Sequence, residues 1–289
     1  MQLVEIKAGV SGNSIEIIDD LLIESETTGW NLVQDVIAQQ SWIVGVFPNE
    51  AEALARWEEL QSLCAEVKFA APVVREMPEQ EWRDSYKAHF KAWQFGQLHW
   101  VPLWEREQFT LPAGHQVLWL DPGLAFGTGN HETTRLCVER LVAWADTNGL
   151  KGRVIDAGCG SGILALSAAK LGFEQVAGFD NDPEAVRVSH ENAAMNDLAG
   201  KVELYEGDLV TGLHGRQAEM VLANILAEIL MRFPTELIKS VAPKGQLVLS
   251  GILAAESAQV MAVFSAHAPD WQCESRQLGE WSDVVLTRP

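Results

Sequence analysis

The chain has 289 residues, 47% of them hydrophobic and 21% charged, and Asp and Glu outnumber Lys and Arg to a formal charge of −19. Such a length suits one large or two ordinary domains with a substantial core, and such acidity excludes the basic footprint of a nucleic-acid-binding protein. The start MQLVEIKAGV lacks the basic residues and long apolar run of a signal peptide, and no uninterrupted apolar stretch approaches a membrane span, so a cytoplasmic location is expected.

Leu3, Val4 and Ile6 begin a first strand, and Gly12 to Leu22 carries Ile15, Ile18 and Leu22 at helical spacing, with Asn13 or Ser14 as a cap. A strand near Trp30 to Val33, a stronger one at Trp42 to Phe47, a helix from Glu50 to Cys64 and a strand from Glu66 to Val74 complete a βαββαβ pattern. That is a small ferredoxin-like α+β domain over residues 1–75. Trp30 and Trp42 read as core residues. The segment holds 4 Lys or Arg against 12 Asp or Glu and no catalytic cluster, so recognition is its expected task. An acidic surface steers basic partners, although solubility alone also accounts for such charge.

Residues 76–95 change character. Met77-Pro78 opens a polar stretch with Trp82, Tyr86 and Phe90 on one helical face, the pattern of a helical linker. Five of the eleven tryptophans (Trp82, Trp93, Trp100, Trp104, Trp119) crowd this region; they suit a domain-junction core better than a substrate channel. LDPGLAFGTGNHETT, Leu120 to Thr134, follows as a glycine-rich loop able to fold over a ligand, with Asn130 or His131 capping the helix that runs to Ala145. His131 and Glu132 lack the second histidine of a zinc helix, Arg135 standing in its place, and the four cysteines show no C-x-x-C spacing. No metal is expected.

From residue 150 strands and helices alternate. Strands are expected at Arg153–Ala157, Gln175–Phe179, Val202–Tyr205, Ala218–Ala223 and Gly245–Ser250. Helices are expected at Gly162–Leu171, Pro183–Met195, Ala227–Ser240 and Ala254–Ala266, and a closing hairpin at Trp271–Gln277 with Asp283–Thr287. This order calls for a doubly wound sheet with an antiparallel pair at its end, and places ligands at the carboxyl ends of the strands.

VIDAGCGSG, Val154 to Gly162, is a strand running into a glycine turn and then a helix. Glycine is needed there because a Cβ would block the backbone angles or the approach of a cofactor, while the helix offers unpaired N–H groups. Ile163 stands where a dinucleotide fingerprint wants its third glycine, which counts against NAD or FAD. Asp180, Asp208 and Asn224 stand at successive strand ends, and Asp180 lies 22 residues beyond Gly158, a spacing suited to a ribose diol. Asp182, before Pro183, reads as a helix cap.

With the closing hairpin, these residues resemble a class I S-adenosylmethionine-dependent methyltransferase, Rossmann-like and seven-stranded. LDPGLAFGTGNHETT, VIDAGCGSGILA, GFDNDPEAV, LANIL and LSGIL, in this order, are similar to the PrmA family, densely from Trp93 to Ile252 and by architecture alone in the N-terminal domain. That resemblance implies a methyltransferase domain over residues 96–289 and S-adenosylmethionine as cofactor. It implies cofactor contacts at Thr134, Gly158, Asp180 and Asn224, with Asp208 near the adenine as an extension from the wider superfamily. The N-P-P-aromatic motif of many amine methyltransferases is replaced by Asn224-Ile225-Leu226, in agreement with PrmA.

The resemblance further implies a protein substrate, large-subunit ribosomal protein eleven, methylated on lysine side chains or its N-terminal amine and read by the N-terminal domain. In-line displacement at a methyl group needs a neutral amine. A lysine of pKa about 10.4 is less than about one part in a thousand neutral at pH 7, and an α-amine near 8 about a tenth. No general base is evident, and Asn224 is expected to orient the amine. An RNA methyltransferase would share the catalytic fold, but the acidic N-terminal domain argues against it.

Overall fold

The computed structural model describes residues 3–24, 29–35, 40–65, 67–77, 92–121 and 131–289. The chain divides into two units, residues 1–89 and 90–289. In the first, β1 (Leu3–Val10), β2 (Trp30–Asp35), β3 (Gln40–Phe47) and β4 (Val73–Met77) form a sheet in the order β2-β3-β1-β4, every neighbour antiparallel. Helix α1 (Ile15–Glu24) links β1 to β2, and α2 (Glu50–Leu63) links β3 to β4, which is the expected ferredoxin-like arrangement. Alternation puts Val4, Ile6, Ala8 and Ile43 on the inner face, where they meet Ile18 of α1 and Trp57 and Leu60 of α2. Asn49 caps α2 by accepting the Glu52 amide at 2.9 Å.

Three expectations in this unit are corrected. The strand expected over Glu66–Val74 begins only at Val73; Pro72, just before it, has no N–H to give a ladder. The helix expected over Gly12–Leu22 opens as a single 3-10 turn, Gly12–Ser14, and α1 proper runs from Ile15 to Glu24. Trp42 is half-buried rather than core: it alternates with the inner Ile43 and lies on the opposite face, with Lys7 Nζ 4.2 Å from its ring centre.

Residues 78–91, most of the expected helical linker, lie outside the described residues. Trp93, expected within it, belongs to strand β5 (Trp93–Phe95) of the second unit. β5 pairs antiparallel with β6 (Leu98–Pro102), which pairs parallel with β7 (Gln116–Leu120), a small sheet the sequence reading lacked. The buried Trp100 donates from Nε1 to Ser167 Oγ at 2.9 Å, tying this sheet to helix α4 (Ile163–Leu171). Asn196 both accepts from the Trp119 amide and donates to its carbonyl, at 2.7 and 2.9 Å.

The main sheet has seven strands in the order β10-β9-β8-β11-β12-β14-β13. β8 (Arg153–Ala157), β9 (Gln175–Asp180), β10 (Glu203–Glu206), β11 (Ala218–Asn224) and β12 (Val241–Leu253) run parallel, and β14 (Trp281–Thr287) lies antiparallel between β12 and β13 (Gln272–Leu278). This is the expected seven-stranded methyltransferase sheet with its closing hairpin. Val154, Ile155, Val221, Leu222, Leu247 and Val248 are wholly buried because helices cover both faces. Each such side chain contributes about 1.5–3 kcal/mol.

Helices α3 (Glu132–Asn148), α4, α5 (Pro183–Met195) and α8 (Ser257–His267) flank the sheet. The single helix expected over Ala227–Ser240 is two, α6 (Ala227–Arg232) and α7 (Pro234–Lys239), because Pro234 lacks the N–H to continue the ladder. Among the described residues, no helix is long and apolar enough to cross a membrane.

Candidate active site

A cavity of about 1180 Å³ opens at the carboxyl ends of β8 to β11, with Gly158, Gly160, Asp180, Asp208 and Asn224 on its wall. At Gly158, φ is 76°, and a methyl group placed there would stand 2.6 Å from Ile225 Cγ2. Both facts demand glycine. Two carboxylates pin the turn: Asp180 Oδ2 accepts the Gly160 amide at 2.8 Å, and Asp156 Oδ2 accepts the Ala165 amide, in the first turn of α4, at 3.0 Å.

Asp156 is fully buried, and its Oδ1 has no partner among the described residues. Burial, opposed by the Ala165 amide and reinforced by the charge of Asp180, pushes its pKa up to about 7. Asp180 Oδ1 accepts the Asp182 amide at 3.0 Å. Each oxygen of Asp180 thus keeps a lone pair for a ligand hydroxyl. Asp182 caps α5 through the Glu184 amide at 2.8 Å, as expected.

Asp208 Oδ1 accepts the Thr211 amide, the Thr211 hydroxyl and the Val210 amide at 2.7, 2.8 and 2.9 Å. These donors, Thr211 foremost, hold its carboxyl below the usual range. Its main work in the fold is therefore to shape its own turn.

Asn224 ends β11. Its Nδ2 donates to Thr134 Oγ1 at 3.3 Å, while its buried Oδ1 has no partner among the described residues. Thr134 is buried in the first turn of α3 and meets the site through Asn224. His131 caps α3, its Nδ1 accepting the Thr133 amide at 3.4 Å. Gly123, Gly127 and Gly129 of the loop between Leu120 and Thr134 lie outside the described residues.

The cavity also takes Trp281, which carried no sequence signal, beside His131, which the sequence marked only as a helix cap. Trp281 of β14 and His131 meet edge to face with ring centres 4.8 Å apart, and both line it. They stand 150 residues apart in the chain, so only the fold unites them.

A family profile described as "Ribosomal protein L11 methyltransferase (PrmA)" matches residues 2–289. The chain belongs to the PrmA family. A Pelobacter propionicus protein named ribosomal protein L11 methyltransferase is 41% identical over 252 residues, 84% of this chain and 80% of that one. A namesake from Pelotomaculum thermopropionicum is 31% identical over 306 residues, 97% of each. The crystal structure of a ribosomal protein L11 methylase from Lactobacillus delbrueckii subsp. bulgaricus is similar with a TM-score of 0.61 and 29% identity, over 69% of this chain and 99% of that one.

As a PrmA family member the chain is an S-adenosylmethionine-dependent protein methyltransferase. Its site residues fit that cofactor: a turn without side chains at Gly158 and spare carboxylate lone pairs on Asp180.

Proposed function

We propose that this protein transfers methyl groups from S-adenosylmethionine to amino groups of ribosomal protein L11, on lysine side chains or the N-terminal amine. The observation that carries the reading is the orphaned Oδ1 of Asn224, a buried acceptor on the wall of the cavity that also holds the glycine turn. A buried acceptor without a donor costs about 1–3 kcal/mol, a cost removed when an amine N–H arrives. Bound S-adenosylmethionine supplies an electrophilic methyl group.

The protein's own share is positioning and desolvation. Thr134 Oγ1 takes the Asn224 amide N–H, which fixes the carboxamide with Oδ1 as its remaining acceptor for the amine. Gly158 and Asp180 hold the cofactor, and Thr134 anchors Asn224 beside it. Ile225, Ile229 and Phe233 line the same cavity and, by excluding water, favour the neutral amine over the ammonium.

The acidic N-terminal unit reads the basic ribosomal protein, which places the reaction in the cytoplasm where ribosomal proteins are made. Mass spectrometry of L11 from cells with and without this enzyme tests the reading. The expected result is a loss of 14-Da increments, the mass of CH2, from L11 alone. Unmodified L11 in both cells, or label transferred to ribosomal RNA and not to L11 by purified enzyme, overturns it.

A further inference from the structure

We propose that Ile225 is a positioning residue of the transfer site, a wedge seated between Gly158 and Gly251 that fixes where the Asn224 carboxamide stands relative to the glycine turn. The proposal rests on Asn224 as the residue that orients the amine.

Ile225 directly follows Asn224 and meets a bare glycine on each side. A methyl group on Gly158 would come within 2.6 Å of Ile225 Cγ2, and one on Gly251 within 2.5 Å of the Ile225 carbonyl oxygen and 2.9 Å of its carbon. The side chain thus fills the space left open by one glycine, and the peptide fills that left by the other. Gly251, with φ of 79°, sits where β12 slips register against β14 between Leu249 and Ile252. Glycine at such an irregularity marks close approach of another backbone.

Ser250 completes the support. Its carbonyl accepts the Ile225 amide at 3.2 Å, and its hydroxyl donates to the Thr133 carbonyl at 3.1 Å. Two adjacent residues of β12 therefore brace Asn224 through Ile225, and its partner Thr134 through Thr133. Ordinary sheet packing does not require this arrangement: Ile225 is only half-buried and faces the cavity, unlike the wholly buried Val221 and Ala223 before it.

The test assays Asn224→Ala, Ile225→Ala, Ile225→Val and Gly251→Ala on intact L11, with cofactor affinity measured by calorimetry and folding by thermal melting. Valine keeps the Cγ2 branch that rests on Gly158, and alanine removes it. Since a displacement of about 1 Å at a reacting group costs about 100-fold, Ile225→Ala and Gly251→Ala should lower kcat about 10- to 100-fold with cofactor Kd within about threefold of wild type. Ile225→Val should keep kcat within about threefold. If Gly251→Ala does not fold, the two Ile225 variants decide. Wild-type kcat in Ile225→Ala beside an impaired Asn224→Ala overturns the wedge alone, as does a valine variant no better than alanine or a cofactor-affinity loss that accounts for the fall in kcat. Full activity in Asn224→Ala overturns both the wedge and the reading of Asn224.

Discussion

Asp180 Oδ2 accepts the Gly160 amide at 2.8 Å, so the carboxylate proposed for the ribose also holds the shape of the turn proposed to receive the cofactor. Asp180→Ala should lose charge-assisted bonds of about 1.5–3 kcal/mol, roughly 10- to 100-fold in cofactor affinity. Asp180→Asn, which keeps an acceptor for Gly160, should lose less. Calorimetric titration checks both, and unchanged affinity in the alanine variant would sink the ribose assignment.

The burial of Asp156 predicts a stability that depends on pH. Its carboxyl is raised from 3.8 to about 7 in the native state. Below pH 4 both native and unfolded chains carry the proton, and the group costs nothing. As pH rises, the unfolded chain releases the proton first, so stability falls until the native carboxyl ionises near pH 7. Over about three units that is up to about 4 kcal/mol. Asparagine imitates the protonated acid and still accepts the Ala165 amide. Asp156→Asn should therefore match wild type near pH 4 and exceed it at pH 8 in urea unfolding; a variant weaker than wild type at pH 8 would refute this.

Asp283 is wholly buried and accepts Arg140 Nε at 2.8 Å, Arg140 Nη2 at 3.1 Å and the Arg276 amide at 2.8 Å, joining α3 to the C-terminal hairpin. Removing the carboxylate leaves Arg140 paired with Glu274 and Arg276 with Glu139, so the loss is that of charge-assisted hydrogen bonds, about 1.5–3 kcal/mol. Asp283→Ala should lower the midpoint of thermal unfolding by roughly 3–12 °C, at about 2–4 °C per kcal/mol for a unit of this size. Scanning calorimetry measures it, and an unshifted midpoint would contradict the account.

How far these features could be read in advance depends on whether their cause is local. Strand Arg153–Ala157 and helix Pro183–Met195 were legible residue for residue, because apolar runs, Asp182 and Pro183 mark their own limits. Strands β5 to β7 were not: they have three to five residues, with no alternation of their own. In the site, the positions of Gly158, Asp180 and Asn224 at the carboxyl ends of strands were legible: Gly158 directly follows β8, and Asp180 and Asn224 end β9 and β11. Gly251 against Ile225 was not, since their contact belongs to the pairing of β11 with β12 and to a register slip no spacing records. Asp283 read as an ordinary strand residue, and only Arg140 and Arg276 reveal its burial.

Among the described residues the core of the N-terminal unit, from Val4 to Val74, shares no residue with the two cores of the second unit, which begin at Trp93. A cut after residue 75 would pass through β4, which pairs with β1 from Val73 to Met77. The deletion that respects both cores removes residues 1–89. The remaining chain keeps every cavity residue named above, so cofactor affinity by calorimetry should be unchanged. If the acidic unit reads the ribosomal protein, the binding energy it contributes to the transition state is gone, and kcat/KM on intact L11 should fall by more than about 100-fold. Full activity of the 90–289 fragment on L11 would show that the methyltransferase unit recognises its substrate unaided.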